Sequence, residues 1–310
     1  MYDVIIIGGG PAGLSAGLIL GRSRRKVLIC DSGEPRNKRA EQMHGYLTRD
    51  GLNPLDFIQL GREELLKYDV LVESRKIVEV NYADKHFEVI DSSDEKFYSK
   101  KILIATGIAD NLPDIPGLES MYGKSVFHCP YCDGWEVRDK KLAALANGKA
   151  AYVLGFSIKT WSSDVIICTD GISSMRKIDT EKLLSAGIKI YTQKIERLEG
   201  TNGYLKKVIF KNGEDIERDA IFFSSDQYQR STLAEKLGCK FNSSGSIKTN
   251  NKQETGIEGV FVAGDAARDM KFVIVAAAEG ARAAVAINIA LQEDERNQVK
   301  KYLHKKKALH

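Results

Sequence analysis

The sequence predicts an α/β chain made of two Rossmann-like domains, the first of them discontinuous with a smaller central domain inserted. Three observations lead there. An apolar run at 2–7 (YDVIII) goes straight into Gly8-x-Gly10-x-x-Gly13, and a second apolar run at 26–31 ends on Asp31. A late run at 259–265 (GVFVAGD) again ends on a glycine and an acid, so the chain returns to its first domain after an excursion. At about 150 residues per domain, 310 residues make roughly two domains.

The elements follow in order. Residues 2–7 read as a buried parallel strand, because an apolar run closed by glycines fits a strand covered on both faces. Gly8 to Leu20 read as a tight turn into a helix, and 26–31 (KVLICD) as the second strand. Residues 52–67 place Leu52, Phe57, Leu60 and Leu65 at helical spacing. Residues 70–104 alternate as strands do, break at Asp91–Glu95 and end in KILIATG, which reads as an inserted β-meander. Residues 109–117 hold two prolines and a glycine and read as a linker. Beyond it come strands near 141–146, 164–169 and 187–192, a helix near 179–186, and a hairpin at Asn212-Gly213. After the strand at 259–265 an alanine-rich helix is expected over 273–291. The first domain is therefore 1–112 with 235–310, and the central domain 113–234.

Composition narrows the class. With 43% hydrophobic and 28% charged residues, the chain is neither disordered nor collagenous nor a coiled coil. No stretch reads as the roughly 18 apolar residues of a membrane span, and MYDVIIIGGG lacks a basic signal-type start. No membrane association is expected, and the cytoplasm is the expected location. The net charge is +4, but residues 300–310 alone hold five lysines, and without them the body stands at −1. A nucleic-acid binder carries its basic excess on a folded face; here it sits in what reads as a frayed, solvated tail. Of five cysteines, Cys30, Cys168 and Cys239 lie in or beside apolar runs and read as core residues. An odd count without a signal sequence argues against a structural disulfide framework.

A lone G-x-G-x-x-G is a weak signal. This one follows a strand, opens a helix and meets an acid at the end of the next strand, the context of a dinucleotide fingerprint. Gly8 allows the turn, Gly10 lets backbone approach a pyrophosphate, Gly13 lets helix pack on strand, and the helix N-terminus faces the phosphates. Asp31 would accept from ribose hydroxyls. The strand ends Ala105-Thr106-Gly107 and Gly264-Asp265 are weak alone, and Asp265 reads equally as an N-cap. Together with Gly8–Gly13 they outline one long cofactor, which favours FAD over NAD. The second strong motif is Cys129-Pro-Tyr-Cys132-Asp133-Gly134. A zinc site wants a second C-x-x-C or paired histidines, and His128 alone does not complete one; no metal is expected. A redox-active pair fits best beside a flavin site. Asp133 reads either as a turn residue or as the proton donor or base for the departing thiolate.

With GGGPAG at 8–13, ATG at 105–107, CPYCDG at 129–134 and VAGDAA at 262–267 in this order, nearly the whole chain resembles the low-molecular-weight thioredoxin reductases. The resemblance implies a homodimeric flavoprotein that holds FAD through Gly8, Gly10, Pro11, Ala12, Gly13, Asp31, Ala105, Thr106, Gly107, Gly264 and Asp265. It implies that the helix opening at 272–278, with Val273 and Ile274, points its N-terminus at the flavin pyrimidine edge and stabilises negative charge there. It implies that Cys132 lies nearer the flavin, that Cys129 attacks the partner disulfide and that Asp133 is the acid/base.

One departure limits the carry-over. Family members hold NADPH in the central domain on a second G-x-G-x-x-A loop followed by arginines. Here KLAALAN runs into Ala146-Asn147-Gly148-Lys149-Ala150-Ala151, with only the middle glycine, and the next strand ends in Thr169-Asp170-Gly171 without an arginine pair. Asp170 would repel a 2′-phosphate. NADPH is not the expected reductant, with some room left for NADH. The run 268–274 (RDMKFVI) also lacks the Arg-Gln-Ala start of many NADPH users. These departures resemble two side branches: enzymes that take electrons from ferredoxin or another donor and reduce thioredoxin, and the gliotoxin- and holomycin-type dithiol oxidases that pass electrons to oxygen. The stretches 44–51 (HGYLTRDG) and Gln229-Arg230-Ser231 resemble both, and His44 reads either as a residue near the flavin or as a structural histidine. The expected function is thus flavin-dependent dithiol–disulfide exchange with a thioredoxin-like partner. A small-molecule dithiol oxidase is the alternative, and a non-catalytic flavin-binding redox sensor the alternative of another class. The intact Cys129–Cys132 pair argues against the last.

Overall fold

A computed structural model describes residues 1–307 apart from Asp84 and Asp269, with backbone only for 305–307. The chain divides into two compact units, one of Met1–Arg36, Leu55–Ala109 and Tyr228–His310, the other of Asn37–Pro54 and Asp110–Gln227. The sequence reading put the divisions a few residues later and kept 37–54 in the first domain. That segment groups with the second unit through ion pairs from Arg39 to Glu119 and from Lys124 to Glu41. No change of composition marks it in the sequence.

In the first unit, strand Tyr2–Ile7 lies between Val27–Asp31 and Lys96–Ile104, parallel to both, and Leu71–Ser74 extends the sheet beyond Val27–Asp31. Ile77–Ala83 and His86–Asp91 form the expected antiparallel meander onto Lys96–Ile104. Val260–Val262 returns to pair with the far side of Lys96–Ile104. Val4, Ile5, Ile6 and Ile7 are all buried, as a strand covered on both faces requires. Register fixes the functional edge: Ile7 stands opposite Ile104, and Ile104 opposite Val262, so three strands end level.

The helix Pro11–Arg22 follows the first strand with Gly10 as N-cap and proline at its first position. It packs along the last helix so closely that a Cβ on Gly280 would lie 2.0 Å from the Ala12 carbonyl oxygen. That last helix runs from Val273 to Lys307, well past the expected end near 291. The expected frayed tail is therefore helical through 307, while the side chains of 305–307 lie outside the described residues. Contrary to the sequence reading, Val273–His304 is long and apolar enough by composition alone to cross a membrane. Its Ala276, Ala277, Ala283, Ala284, Ala286, Ile287 and Leu291 are instead buried within the unit.

The second unit carries a parallel sheet in the order Lys189–Tyr191, Val165–Cys168, Leu142–Leu145, Ala220–Phe223, Val126–Phe127. Helices Gly148–Ile158 and Lys177–Ser185 accompany it, and Ile195–Thr201, Tyr204–Phe210 and Asp215–Glu217 form an antiparallel sheet with the hairpin at Asn212-Gly213. Cys30, Cys168 and Cys239 are free and buried, as their apolar neighbours foretold. Burial pushes the Cys30 and Cys168 thiols up to about 12, which keeps them protonated and inert.

Candidate active site

In the first unit the level strand ends bring three sequence motifs to one edge. Gly8 follows Ile7 with φ +112°, a conformation L side chains avoid, and a Cβ there would stand 2.3 Å from the Ala105 carbonyl oxygen. A Cβ on Gly13 would stand 1.9 Å from the Gly8 carbonyl oxygen, so helix and turn touch backbone to backbone. Gly10 differs: a Cβ there meets no protein atom within 4 Å and would project into open space at the helix N-terminus. Ala105 bonds back to the Ile7 carbonyl (2.8 Å) and leads into Thr106 and Gly107, while Ala263 bonds to the Ile104 carbonyl (3.1 Å) and leads into Gly264 and Asp265. The last helix opens at Val273 and Ile274 with Ala276 against Gly264, 3.6 Å from where a Gly264 Cβ would be.

Two cations at this edge escaped the sequence reading. Arg62, on the helix Pro54–Leu65, donates to Asp31 Oδ2 (2.6 Å), and its buried Nε has no partner among the described residues. Arg36 approaches Asp265 Oδ2 (3.5 Å). Arg62 lies in the last turn of its helix, where a cation is favourable, and only the fold sets it beside Asp31. Glu279, buried on the last helix, accepts from the Gly264 N–H (3.0 Å) and from Arg268 Nε, so it fixes the Gly264-Asp265 turn. The donor set fits a dinucleotide such as FAD. A glycine cradle lies at an uncapped helix N-terminus for the pyrophosphate, an acid stands at a strand end for ribose hydroxyls, and a buried guanidinium N–H is still unbonded.

In the second unit, Val126–Phe127 leads through His128 to Cys129, the N-cap of a single helical turn, Pro130–Asp133. The N–H groups of Cys132 (3.1 Å) and Asp133 (3.2 Å) both bond to the Cys129 carbonyl, and this turn holds the cysteines in a disulfide with Cα atoms 5.3 Å apart. Tyr131, one residue before Cys132, and Trp135, three after it, are 72% and 64% exposed. His128 Nδ1 stands 2.9 Å from the Tyr122 hydroxyl. Asp133 is half-buried, and burial first, then the charge of Glu136, pushes its carboxyl up to about 7. Glu136 faces His44 Nε2 (3.5 Å), whose Nδ1 faces Asp50 (3.5 Å). His44 thus belongs to the unit that carries the cysteines.

The second Rossmann-type turn is filled by the chain's own side chains. Asn147 caps the helix Gly148–Ile158: its Oδ1 accepts from Gly148 N (2.8 Å), Ser174 N (2.8 Å) and Ser174 Oγ (3.1 Å). Its Nδ2 donates to the Ile172 carbonyl (3.1 Å). The first N–H of the helix that would meet a pyrophosphate is thus bonded within the protein, and the Ser174 loop is tied across the helix start. Asp170 accepts from Ile195 N (2.8 Å), and Lys194, a cation the sequence reading missed, lies 3.4 Å from its carboxylate.

The family model described as pyridine nucleotide-disulphide oxidoreductase matches residues 2–280. The thioredoxin reductase tcpT of Claviceps purpurea is 31% identical over 277 residues, covering 86% of this chain and 86% of that protein. The thioredoxin reductase of Bacillus subtilis is 27% identical over 305 residues, covering 94% and 96%. The crystal structure of HlmI matches with a TM-score of 0.95 at 29% identity, over 98% of this chain and 97% of that one. The chain belongs to the pyridine nucleotide-disulphide oxidoreductase family, as a thioredoxin reductase-like disulfide oxidoreductase.

Proposed function

We propose that this protein exchanges dithiols and disulfides through Cys129–Cys132, linked to FAD in the first unit, and does not draw on NADPH. The observation that carries the proposal is the Asn147–Ser174 brace, which occupies the turn where a nicotinamide dinucleotide would place its pyrophosphate. FAD, when bound, supplies a two-electron centre and would be held by Gly8–Gly13, Asp31, Arg62 and Gly264–Asp265.

Every other step belongs to the protein's side chains. A substrate thiolate attacks the Cys129 sulfur, the Cys129–Cys132 bond breaks, and Cys132 departs as a thiolate. Asp133, held protonated near neutrality, gives that thiolate its proton. A second substrate thiol attacks the mixed disulfide, releasing the substrate as a disulfide and Cys129 as a thiolate. Run backward, Cys129 attacks a partner disulfide and Cys132 resolves the mixed species. The exposed Tyr131 and Trp135 beside Cys132 support docking of a thioredoxin-type protein. A second reading, a small-molecule dithiol as substrate, is favoured by a cleft in the second unit lined by His128 and Pro130, the chain neighbours of Cys129. In the reductive direction the proposed donor is an acidic carrier of the ferredoxin kind, and the proposed assembly is a homodimer.

The test is anaerobic reduction of the yellow holoenzyme in separate cuvettes with NADPH, NADH and dithiothreitol. Bleaching of the flavin band by the dithiol alone is expected, and Cys129→Ser abolishes it while FAD stays bound. Rapid bleaching by NADPH overturns the proposal.

A further inference from the structure

The second unit contains a cleft of about 510 Å³ lined by His128, Pro130, Lys149, Val153, Phe223 and Ser224, among others. Its volume falls in the range of small-molecule sites and is far too small for a protein partner. His128 and Pro130, the two chain neighbours of Cys129, both line the cleft, so its wall runs past the position of that cysteine. The walls are mainly apolar: Pro130, Ala150, Val153, Leu154 and Phe223. No carboxylate lines it. Lys149 is the one full cation among its lining residues; it adds a minor pull on the Asp179 carboxylate, whose hydrogen-bonded cation is Arg176.

We infer that this cleft binds a small, largely apolar dithiol or its disulfide that carries an anionic group, with the anion on Lys149 and the sulfur pair toward Cys129. This inference deepens the second reading of the proposed function and rests on it for the redox step. Two substrate thiols become one disulfide as the Cys129–Cys132 bond becomes two thiols, so atoms and electrons balance. An apolar body gains from the walls, and a carboxylate gains from Lys149 a partly screened attraction of the size exposed ion pairs show.

Lipoate and lipoamide are the probes, because they share ring and chain and differ only in the acid. Calorimetric titration of the oxidised holoenzyme at low salt is expected to show lipoate binding about threefold to fivefold tighter than lipoamide. Lys149→Ala makes the two equal, Lys149→Glu reverses their order, and Val153→Trp, which fills the cleft, weakens both at least tenfold. Equal affinities in the wild type, or a preference that survives Lys149→Glu, overturn the inference. Dithiothreitol bleaching of the wild type is run alongside. Bleaching without a lipoate preference sinks the cleft assignment and leaves the relay standing; a Lys149-dependent preference without bleaching supports the cleft and sinks the relay.

Discussion

The side-chain oxygen of Asn147 accepts from both the backbone N–H and the hydroxyl of Ser174, 2.8 and 3.1 Å away, while also capping the helix Gly148–Ile158. One carboxamide thereby ties a helix start to the loop after strand Val165–Cys168. Asn147→Ala removes the cap and leaves the Ser174 and Gly148 N–H groups without this acceptor. A lost N-cap alone costs about 1 kcal/mol, up to about 2. The variant is expected to lose about 1–2 kcal/mol in chemical denaturation. A loss below about 0.3 kcal/mol would mean that water replaces the brace and that the turn is open to ligands.

The raised Asp133 carboxyl makes the exchange pH-dependent in a stated direction. Protonated below about 7, Asp133 can donate to the departing Cys132 thiolate; above that it cannot. The rate of disulfide opening by dithiothreitol, corrected for the thiol's own ionisation, is expected to fall as pH rises through about 7. Asp133→Asn should remove this limb and slow the step about 10²- to 10⁴-fold. Glu136→Gln removes the smaller cause and should move the limb to lower pH without abolishing it, since burial, the larger cause, remains. A limb unmoved in Glu136→Gln and present in Asp133→Asn belongs to another group.

The same shift has a thermodynamic consequence. The folded state holds the Asp133 proton up to about 7, whereas an unfolded chain gives it up near 3.9. Between these values the folded state binds more protons, so this group's contribution to stability declines as pH rises, and above about 7 the full cost is present. Asp133→Asn carries no charge at any pH. It is expected to match the wild type near pH 4 and to exceed it at pH 8 by up to about 4 kcal/mol, from three pKa units at 1.36 kcal/mol each. Urea denaturation at the two pH values checks the crossover.

The glycine cradle separates folding from cofactor retention. Gly13→Ala forces a Cβ to within 1.9 Å of the Gly8 carbonyl oxygen, so the turn must break and soluble protein is expected to fall sharply. Gly10→Ala meets no protein atom, so the fold and its circular dichroism should be unchanged. Its methyl group occupies the approach to the helix N-terminus, and the ratio of flavin to protein absorbance is expected to drop at least tenfold. A folded Gly10→Ala protein that keeps its flavin would place the pyrophosphate elsewhere.

The parts of the site that were legible in the sequence are those with a local cause. Gly8–Gly13 follows a strand, Asp31 ends the next, and the Cys129–Cys132 spacing closes a disulfide within one turn, so each is visible in a short window. Arg62, Arg36 and Glu279 were not legible, because their partners Asp31, Asp265 and Gly264 are brought to them by sheet register. The grouping of 37–54 with the second unit was hidden for a similar reason. Contacts between residues distant in the chain express it, such as the Arg39–Glu119 ion pair, 80 residues apart. The sequence ends the helix near 291 because residues 292–298 are polar throughout, and the apolar spacing resumes only at Val299, Tyr302 and Leu303, which are exposed.

That continuation sets the last prediction. The helix Val273–Lys307 carries Lys300 and Lys301 on exposed turns, and the sequence adds Lys305, Lys306 and Lys307. Cations in a final turn complement the helix dipole, an effect that fades within that turn, so Lys300 and Lys301, seven and six residues before the helix end, lie beyond its reach. A docking role makes a different demand: opposite charge speeds encounter, and salt screens it within about 8 Å at physiological ionic strength. If an acidic ferredoxin-type carrier delivers the electrons, replacing Lys300 and Lys301 by glutamate should slow flavin reduction by that carrier several-fold at 20 mM salt and leave it nearly unchanged at about 0.5 M, where the Debye length is a few ångströms. Dithiothreitol, which is uncharged, serves as the comparison, and its rate should not respond to the substitution at either salt. A carrier rate equally indifferent to these charges at low salt would remove the docking role from these two lysines.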